Sequence, residues 1–144
     1  MAIVVLLVED NPGDVRLTRE AFRDSQMDVA LHVASDGVEA MRFLLREGNH
    51  ADAPRPDLII TDLNLPRKNG REVLAMIKGN SGLKCIPTVI LTTSDAESDI
   101  VASYDLQANC YLRKPAKFDE FAAVVRKIYD FWFNTVKLPH NESN

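Results

Sequence analysis

Asp62 closes the short apolar run Leu58-Ile59-Ile60-Thr61 and opens a stretch punctuated by Pro66 and Gly70. A carboxylate there can be a nucleophile, a metal ligand or simply the start of a turn. Other polar residues stand at the ends of apolar runs in the same way. Glu9 and Asp10 follow Ile3 to Val8, Thr92 follows Pro87 to Leu91, and Lys114 follows Ala108 to Leu112. If these runs are parallel strands, their polar ends meet in one crevice beyond the carboxyl edge of a sheet. Three carboxylates gathered there would repel one another and call for a cation. A hard oxygen set suits Mg²⁺, whereas the lack of His or Cys at these positions argues against zinc or copper. Lys114 offers a point charge and Thr92 a hydroxyl donor for a phosphoryl oxygen. The set therefore suits phosphoryl transfer onto a carboxylate, with Asp62 as nucleophile on the middle strand.

Each residue also has a plainer explanation. Lys114 before Pro115 can be a solvated loop lysine, and Thr92 a capping residue beside Ser94. Their recurrence at the ends of successive strands is what favours a shared site.

The elements that would position them follow from periodicity and punctuation. Strands are expected at Ile3 to Val8, Val29 to Ala34, Leu58 to Ile60, Pro87 to Leu91 and Ala108 to Leu112. Helices are expected from Asp14 to Gln26, from Asp36 to Gly48, from Gly70 to Gly79, after Ser94, and from Lys117 onward. Their apolar stripes are Val15, Thr18 and Phe22; Val38, Met41 and Leu45; Val73, Leu74 and Ile77; Ile100, Val101 and Tyr104; and Phe118, Phe121, Val125, Ile128 and Trp132. Asp36 with Glu39, and Ser94 with Glu97, have capping-box spacing. Five strands alternating with five helices require crossover connections, hence an α/β, doubly wound parallel sheet.

With 144 residues the chain suits one domain, and 46% hydrophobic and 26% charged residues fit a globular protein. A net charge of −4 without a basic run argues against nucleic acid as a partner. The six-residue apolar start is too short for a membrane span or signal peptide, so a cytoplasmic protein is expected. Cys85 and Cys110 lack metal or disulfide spacing and are expected to be small core residues. No repeat or linker is evident. The expected division is a domain over residues 1–133 and a partly disordered tail over 134–144.

Glu9-Asp10, Asp62 with Pro66 and Gly70 four and eight positions later, Thr92, and Tyr111 three before Lys114-Pro115 together resemble the receiver domains of two-component response regulators. The likeness covers about residues 3 to 131. It implies a (βα)5 flavodoxin-like fold of strand order 2-1-3-4-5 and a single-domain phospho-switch without an output domain. Asp62 would accept phosphate from a sensor histidine kinase, with Mg²⁺ held by Asp10, Asp62 and the Asn64 carbonyl, and by Glu9 through water. Thr92 and Tyr111 would form the switch, altering the surface of the fourth helix and fifth strand for a downstream protein. The start Leu7-Val8-Glu9-Asp10-Asn11-Pro12-Gly13-Asp14 and the end Phe131-Trp132-Phe133 look most like small regulators paired with cyanobacterial phytochromes, implying a phytochrome kinase.

Two departures from the family pattern stand out. Gln107-Ala108 replaces the usual Gly-Ala, so a left-handed turn must form without glycine. Thr93 replaces a usually very small residue and would slow loss of phosphate, while Asn64 and Ser94 line the same mouth and could tune hydrolysis. Three adjacent aromatics, Phe131, Trp132 and Phe133, cannot all face one core at about 100° per residue. They are expected to join the fourth and fifth helices in a homodimer interface, the other possibility being an intramolecular cap. The alternative function is an aspartate-nucleophile phosphatase of haloacid dehalogenase type, but that class wants a second Asp where Asn64 stands. A nucleotide-binding module lacks its glycine-rich loop, and Glu9-Asp10 would repel a pyrophosphate.

Overall fold

Five apolar runs become five strands in the computed structural model, which describes residues 2–24 and 28–139. They are β1 (Ile3–Val8), β2 (Val29–Ala34), β3 (Leu58–Thr61), β4 (Thr88–Thr92) and β5 (Cys110–Arg113). Between and after them come α1 (Pro12–Asp24), α2 (Gly37–Leu45), α3 (Gly70–Gly79), α4 (Glu97–Asp105) and α5 (Phe118–Tyr129). All pairings are parallel and the strand order is 2-1-3-4-5, as expected. The expected extension of the first helix to Gln26 lies outside the described residues.

Strand alternation sorts the apolar residues onto two faces. Leu6, Val8 and Ile59 pack with Met41, Leu44, Val73 and Ile77 of α2 and α3. Val5, Leu7, Leu58, Ile60, Val89 and Leu91 pack with Phe22 of α1 and Phe121, Val125 and Ile128 of α5. With both faces covered, β1 and β3 can be continuously apolar, and their polar residues are confined to the carboxyl ends.

Helix starts follow the caps with two corrections. Asp36 accepts from the Glu39 N–H at 2.8 Å and begins α2. Glu39 does not close the box; its carboxylate accepts from Arg42 at 3.2 Å and meets His50 Nε2 at 3.0 Å. Asn69 and Glu72 form a full capping box at α3 that the sequence reading passed over. At α4 the expected Ser94 cap is wrong, because the helix begins at Glu97 with Ala96 in the cap position. Ser94 instead donates to Asp99 Oδ2 at 2.6 Å and accepts from the Ala96 N–H at 3.3 Å.

Helix ends depend on left-handed residues. Helix α2 stops at Leu45 rather than near Gly48, because Arg46 has φ of 56° and the Glu47 N–H closes onto the Arg42 carbonyl at 2.9 Å. Gln107 has φ of 71°, with its N–H on the Tyr104 carbonyl and the Ala108 N–H on the Ser103 carbonyl. These paired bonds form a Schellman closure, whose left-handed residue is normally glycine. A side chain there costs roughly 1–2 kcal/mol.

Several apolar positions differ from expectation. Leu45 is exposed while Leu44 faces the core, since α2 ends before another turn could carry Leu45 inward. Phe118 is exposed at the first residue of α5, where its side chain tilts toward the N-terminus and off the core. Helix α4 buries only Ser103 and leaves Val101 and Tyr104 about half exposed, so Ile100, Val101 and Tyr104 are not a buried stripe. Cys85 is exposed, because Leu83 and Ile86 take the inward positions of the α3–β4 connection, whereas Cys110 of β5 is half-buried and packs against the α1–α5 core. Beyond α5, Asp130–Thr135 form a π-helix. Trp132 and Phe133 pack against the α1–α5 core, and only Phe131 of the three is well exposed. Residues 136–139 continue without regular structure, and the disorder expected beyond Pro139 lies outside the described residues. No helix among the described residues is long and apolar enough to cross a membrane.

Candidate functional site

The backbone ladder extends one residue past three strands and fixes where the polar side chains begin. The Glu9 N–H donates to the Ala34 carbonyl at 3.0 Å, the Asp62 N–H to Val8 at 3.1 Å, and the Lys114 N–H to Thr92 at 2.6 Å. These residues leave the sheet at its carboxyl edge with their backbones still tied into the ladder.

Lys114 is the hub. Its buried ammonium donates to Glu9 Oε2 at 2.6 Å, Asp14 Oδ2 at 2.8 Å and Asp62 Oδ2 at 2.8 Å. These bonds occupy its three N–H donors. Burial works against the charge, but hydrogen bonds to Asp14, Asp62 and Glu9 outweigh it and hold Lys114 well above the ordinary lysine pKa. Burial also pushes Asp62 up, yet Lys114 prevails and keeps the carboxyl below its usual range. Asp62 Oδ1 further accepts from the Leu63 N–H at 2.6 Å and the Asn64 N–H at 3.3 Å. Glu9 is raised, because burial exceeds what Lys114 and the Asn11 N–H return. Thr92 lies beside Asp62 and adds to its lowering, but its fully buried Oγ1 makes no hydrogen bond of normal geometry.

The other expected site residues surround this hub less tightly. Asp10, Asn64 and Thr93 are exposed at the mouth. Tyr111 is half-buried; its hydroxyl donates to the Ser94 carbonyl at 2.9 Å and its N–H donates to the Tyr104 hydroxyl at 3.2 Å. Among the described residues no three His, Cys, Asp or Glu side chains group in a way that could hold a metal alone. A set of Asp10, Asp62 and a backbone carbonyl needs only two such side chains. Lys114 gathers Glu9 and Asp62 together with a further acid, Asp14, while Asp10 stands exposed at the mouth.

Asp14 was missed by sequence reading. Its signal was present, since Asn11-Pro12 is a cap followed by a first-turn proline, and the acid three residues after that cap returns over the end of β1. Arg71 of α3 pairing with Asp99 of α4 was also missed, as was Arg67 gripping Asp36 through bonds of 3.0 Å from both Nε and a terminal nitrogen. Pairings between elements leave no local trace.

The loop between β3 and α3 is held by close packing. A Cβ on Gly70 would collide with the Asp62 carbonyl and the Leu63 Cα, and one on Gly37 with the Lys68 carbonyl. The Gly70 N–H donates to the Leu63 carbonyl at 2.9 Å. The response regulator receiver domain model matches residues 5–126, taking in the hub and this loop. The chain belongs to the response regulator receiver family.

This receiver is 50% identical over 136 residues to the response regulator Rcp1 of Synechocystis sp., covering 94% of the chain and 92% of that relative. It superposes on the phosphorylated cyanobacterial phytochrome response regulator RcpA with a TM-score of 0.94 and 48% identity, covering 97% of this chain and 100% of RcpA. On the Mn²⁺-bound form of Rcp1 the TM-score is 0.90 at 49% identity, covering 96% and 99% of the two chains. The haloacid dehalogenase alternative finds no support.

Proposed function

We propose that this receiver takes a phosphoryl group onto Asp62 from a phosphohistidine of a sensor kinase and thereby changes its protein-binding surface. The carrying observation is the convergence of Lys114 and the unpartnered Thr92 hydroxyl on a buried, ionised Asp62. An Asp62 oxygen attacks phosphorus, the phosphorus–nitrogen bond breaks, and the histidine leaves with its electron pair. Lys114 keeps Asp62 ionised before attack and neutralises charge on the transferring group. Thr92 gains the partner its oxygen lacks by donating to a phosphoryl oxygen. A hydrolytic water reverses the modification, so the only chemistry is the domain's own phosphorylation and dephosphorylation.

The donor set also fits a divalent cation. Glu9, Asp14 and Asp62 exceed the one ammonium they share, and Asp10 adds a further exposed acid. Mg²⁺ would be held by Asp10, Asp62 and the Asn64 carbonyl, with Glu9 reached through water. When bound, it supplies positive charge to the transferring oxygens. Incubation with acetyl phosphate should yield the phosphorylated protein with Mg²⁺ and little of it with excess chelator. Equal yields would remove the metal from this account.

The similarity to Rcp1 and RcpA supports a phytochrome kinase as donor, in the cytoplasm. The Tyr111 bond to the Ser94 carbonyl supports a switch: movement of Thr92 would reposition that carbonyl, the Tyr111 ring and, through Ser94 and Asp99, α4. Thr93, with Asn64 and Ser94 at the mouth, would set the lifetime of the phosphorylated state. Thr93→Ala should lose phosphate faster than wild type, followed by the decay of intact mass; an equal or slower loss would refute that role. We read the domain as residues 1–133 with a tail over 134–144, the π-helix carrying regular structure across that boundary to Thr135.

A homodimer using α4, α5 and the C-terminal aromatics is supported by exposed Val101, Tyr104, Phe118 and Phe131. Trp132 and Phe133 would contribute by fixing Phe131 rather than by lying free. Sedimentation at tens of micromolar should show a dimer; a monomer with and without phosphate would exclude it.

A further inference from the structure

Asp14 holds one donor of Lys114, and the phosphoryl-transfer reading counts its charge but gives it no step. Its position is dictated locally. Asn11 caps α1, its Oδ1 accepting from the Asp14 N–H at 3.1 Å and its carbonyl from the Val15 N–H at 3.0 Å. In a capping box an acid three residues after the cap would turn back to the cap N–H. Here that N–H already donates to Glu9 Oε1 at 3.1 Å, so Asp14 is free to turn toward Lys114.

The three carboxylates around Lys114 are not equivalent. The Glu9 and Asp62 side chains are 4% and 9% exposed, whereas that of Asp14 is 24% exposed. Asp14 is thus the partner nearest solvent. An ammonium has three N–H donors, and all are engaged before phosphate arrives. Releasing Glu9 would strand a buried carboxylate, and releasing Asp62 would loosen the nucleophile. Asp14 can exchange its bond for water at the smallest cost.

We propose that Asp14 is a positioning residue that competes with the incoming phosphoryl group for Lys114 and so restrains phosphorylation of Asp62. The inference rests on the phosphoryl-transfer reading above. The Asp14 charge acts twice: it occupies the Lys114 donor a phosphoryl oxygen requires, and it repels a group carrying roughly −1.5 to −2 charges. Asp14→Asn keeps shape and removes the charge. Asp14→Glu keeps the charge on a side chain one carbon longer.

The test is the initial rate of phosphorylation of the full chain by acetyl phosphate with Mg²⁺, followed by intact mass for wild type, Asp14→Asn, Asp14→Glu and Asp62→Asn. Asp14→Asn should react roughly three- to tenfold faster, the scale of one partly exposed charge-assisted bond. Asp14→Glu should return the rate to within about twofold of wild type. A rate for Asp14→Asn equal to or below wild type overturns the proposal. So does a gain that Asp14→Glu retains, because side-chain fit rather than charge would then matter. Melting curves check the fold of each variant, and if Asp14→Asn does not fold, Asp14→Ser is held to the same criteria. Phosphorylation of wild type but not Asp62→Asn keeps the underlying reading intact, so failure of the Asp14 proposal is recognised separately.

Discussion

Replacing Lys114 with methionine should destabilise the receiver by roughly 3–5 kcal/mol at neutral pH in metal-free buffer, because it strands buried carboxylates without their cation. Glu9 and Asp62 each lose a charge-assisted hydrogen bond of 2.6–2.8 Å, while the less buried Asp14 is rehydrated at smaller cost. The pH dependence follows from the direction of each shift. Lys114 is raised, so its contribution is complete below about pH 10.4, the ordinary lysine value, and is lost as pH rises through the folded value. Asp62 is lowered, so its contribution is complete above about pH 3.9 and is lost as pH falls through its folded value. Glu9 is raised, which opposes stability once it ionises; without Lys114 it should hold its proton to higher pH still. The deficit of Lys114→Met should therefore be largest near neutrality and narrow toward acid. Urea unfolding at pH 7.5 and pH 4.5 measures this, and an equal or larger deficit at pH 4.5 would contradict it. Phosphorylation should also be nearly abolished, because the variant lacks the ammonium that donates to Asp62 and would neutralise the transferring group.

Gly70→Ala should produce the second large effect. The added methyl meets the Asp62 carbonyl and the Leu63 Cα, and both are backbone atoms without a rotamer to yield. Overpacking of this kind costs about 1–3 kcal/mol. Relief requires the β3–α3 loop to shift, which would weaken the Gly70–Leu63 bond and disturb the Asn64 N–H that supports Asp62. Stability should fall by about 2 kcal/mol. The phosphorylation rate should fall by at least about tenfold, since small misplacements at a reacting centre are costly. Gly79→Ala is the control: the same methyl meets nothing within 4 Å, and both quantities should remain close to wild type. A Gly70→Ala protein of wild-type stability and rate would show that the loop has slack.

Much of the fold was legible because it repeats a local pattern. Five apolar runs with polar ends and intervening helical periodicity specify a covered parallel sheet, and the observed strands differ from expectation by two residues at most. Asp62, Lys114, Glu9 and Thr92 were readable for the same reason, each being the polar terminus of an apolar run. Features that depend on a single hydrogen bond or on a neighbour distant in sequence were harder to read. Whether Ser94 or Ala96 caps α4 turns on where Asp99 draws the Ser94 hydroxyl. Whether Leu44 or Leu45 faces inward is settled by the left-handed turn at Arg46. Asp14 reaches Lys114 across 100 residues, and only the folded chain shows that Asn11 leaves it free to do so. The aromatic cluster divided for a geometric reason, the π-helix laying Trp132 and Phe133 on the core and turning Phe131 outward.

Asp62 remains the centre of the account, as the ionised carboxylate toward which Lys114, Thr92 and the β3–α3 loop converge. The most direct measurement is intact mass after incubation with acetyl phosphate and Mg²⁺, made on wild type and Asp62→Asn together. One phosphoryl adduct on wild type and none on Asp62→Asn is the predicted result. An adduct on both proteins, or on neither, would contradict the assignment of Asp62 as phospho-acceptor.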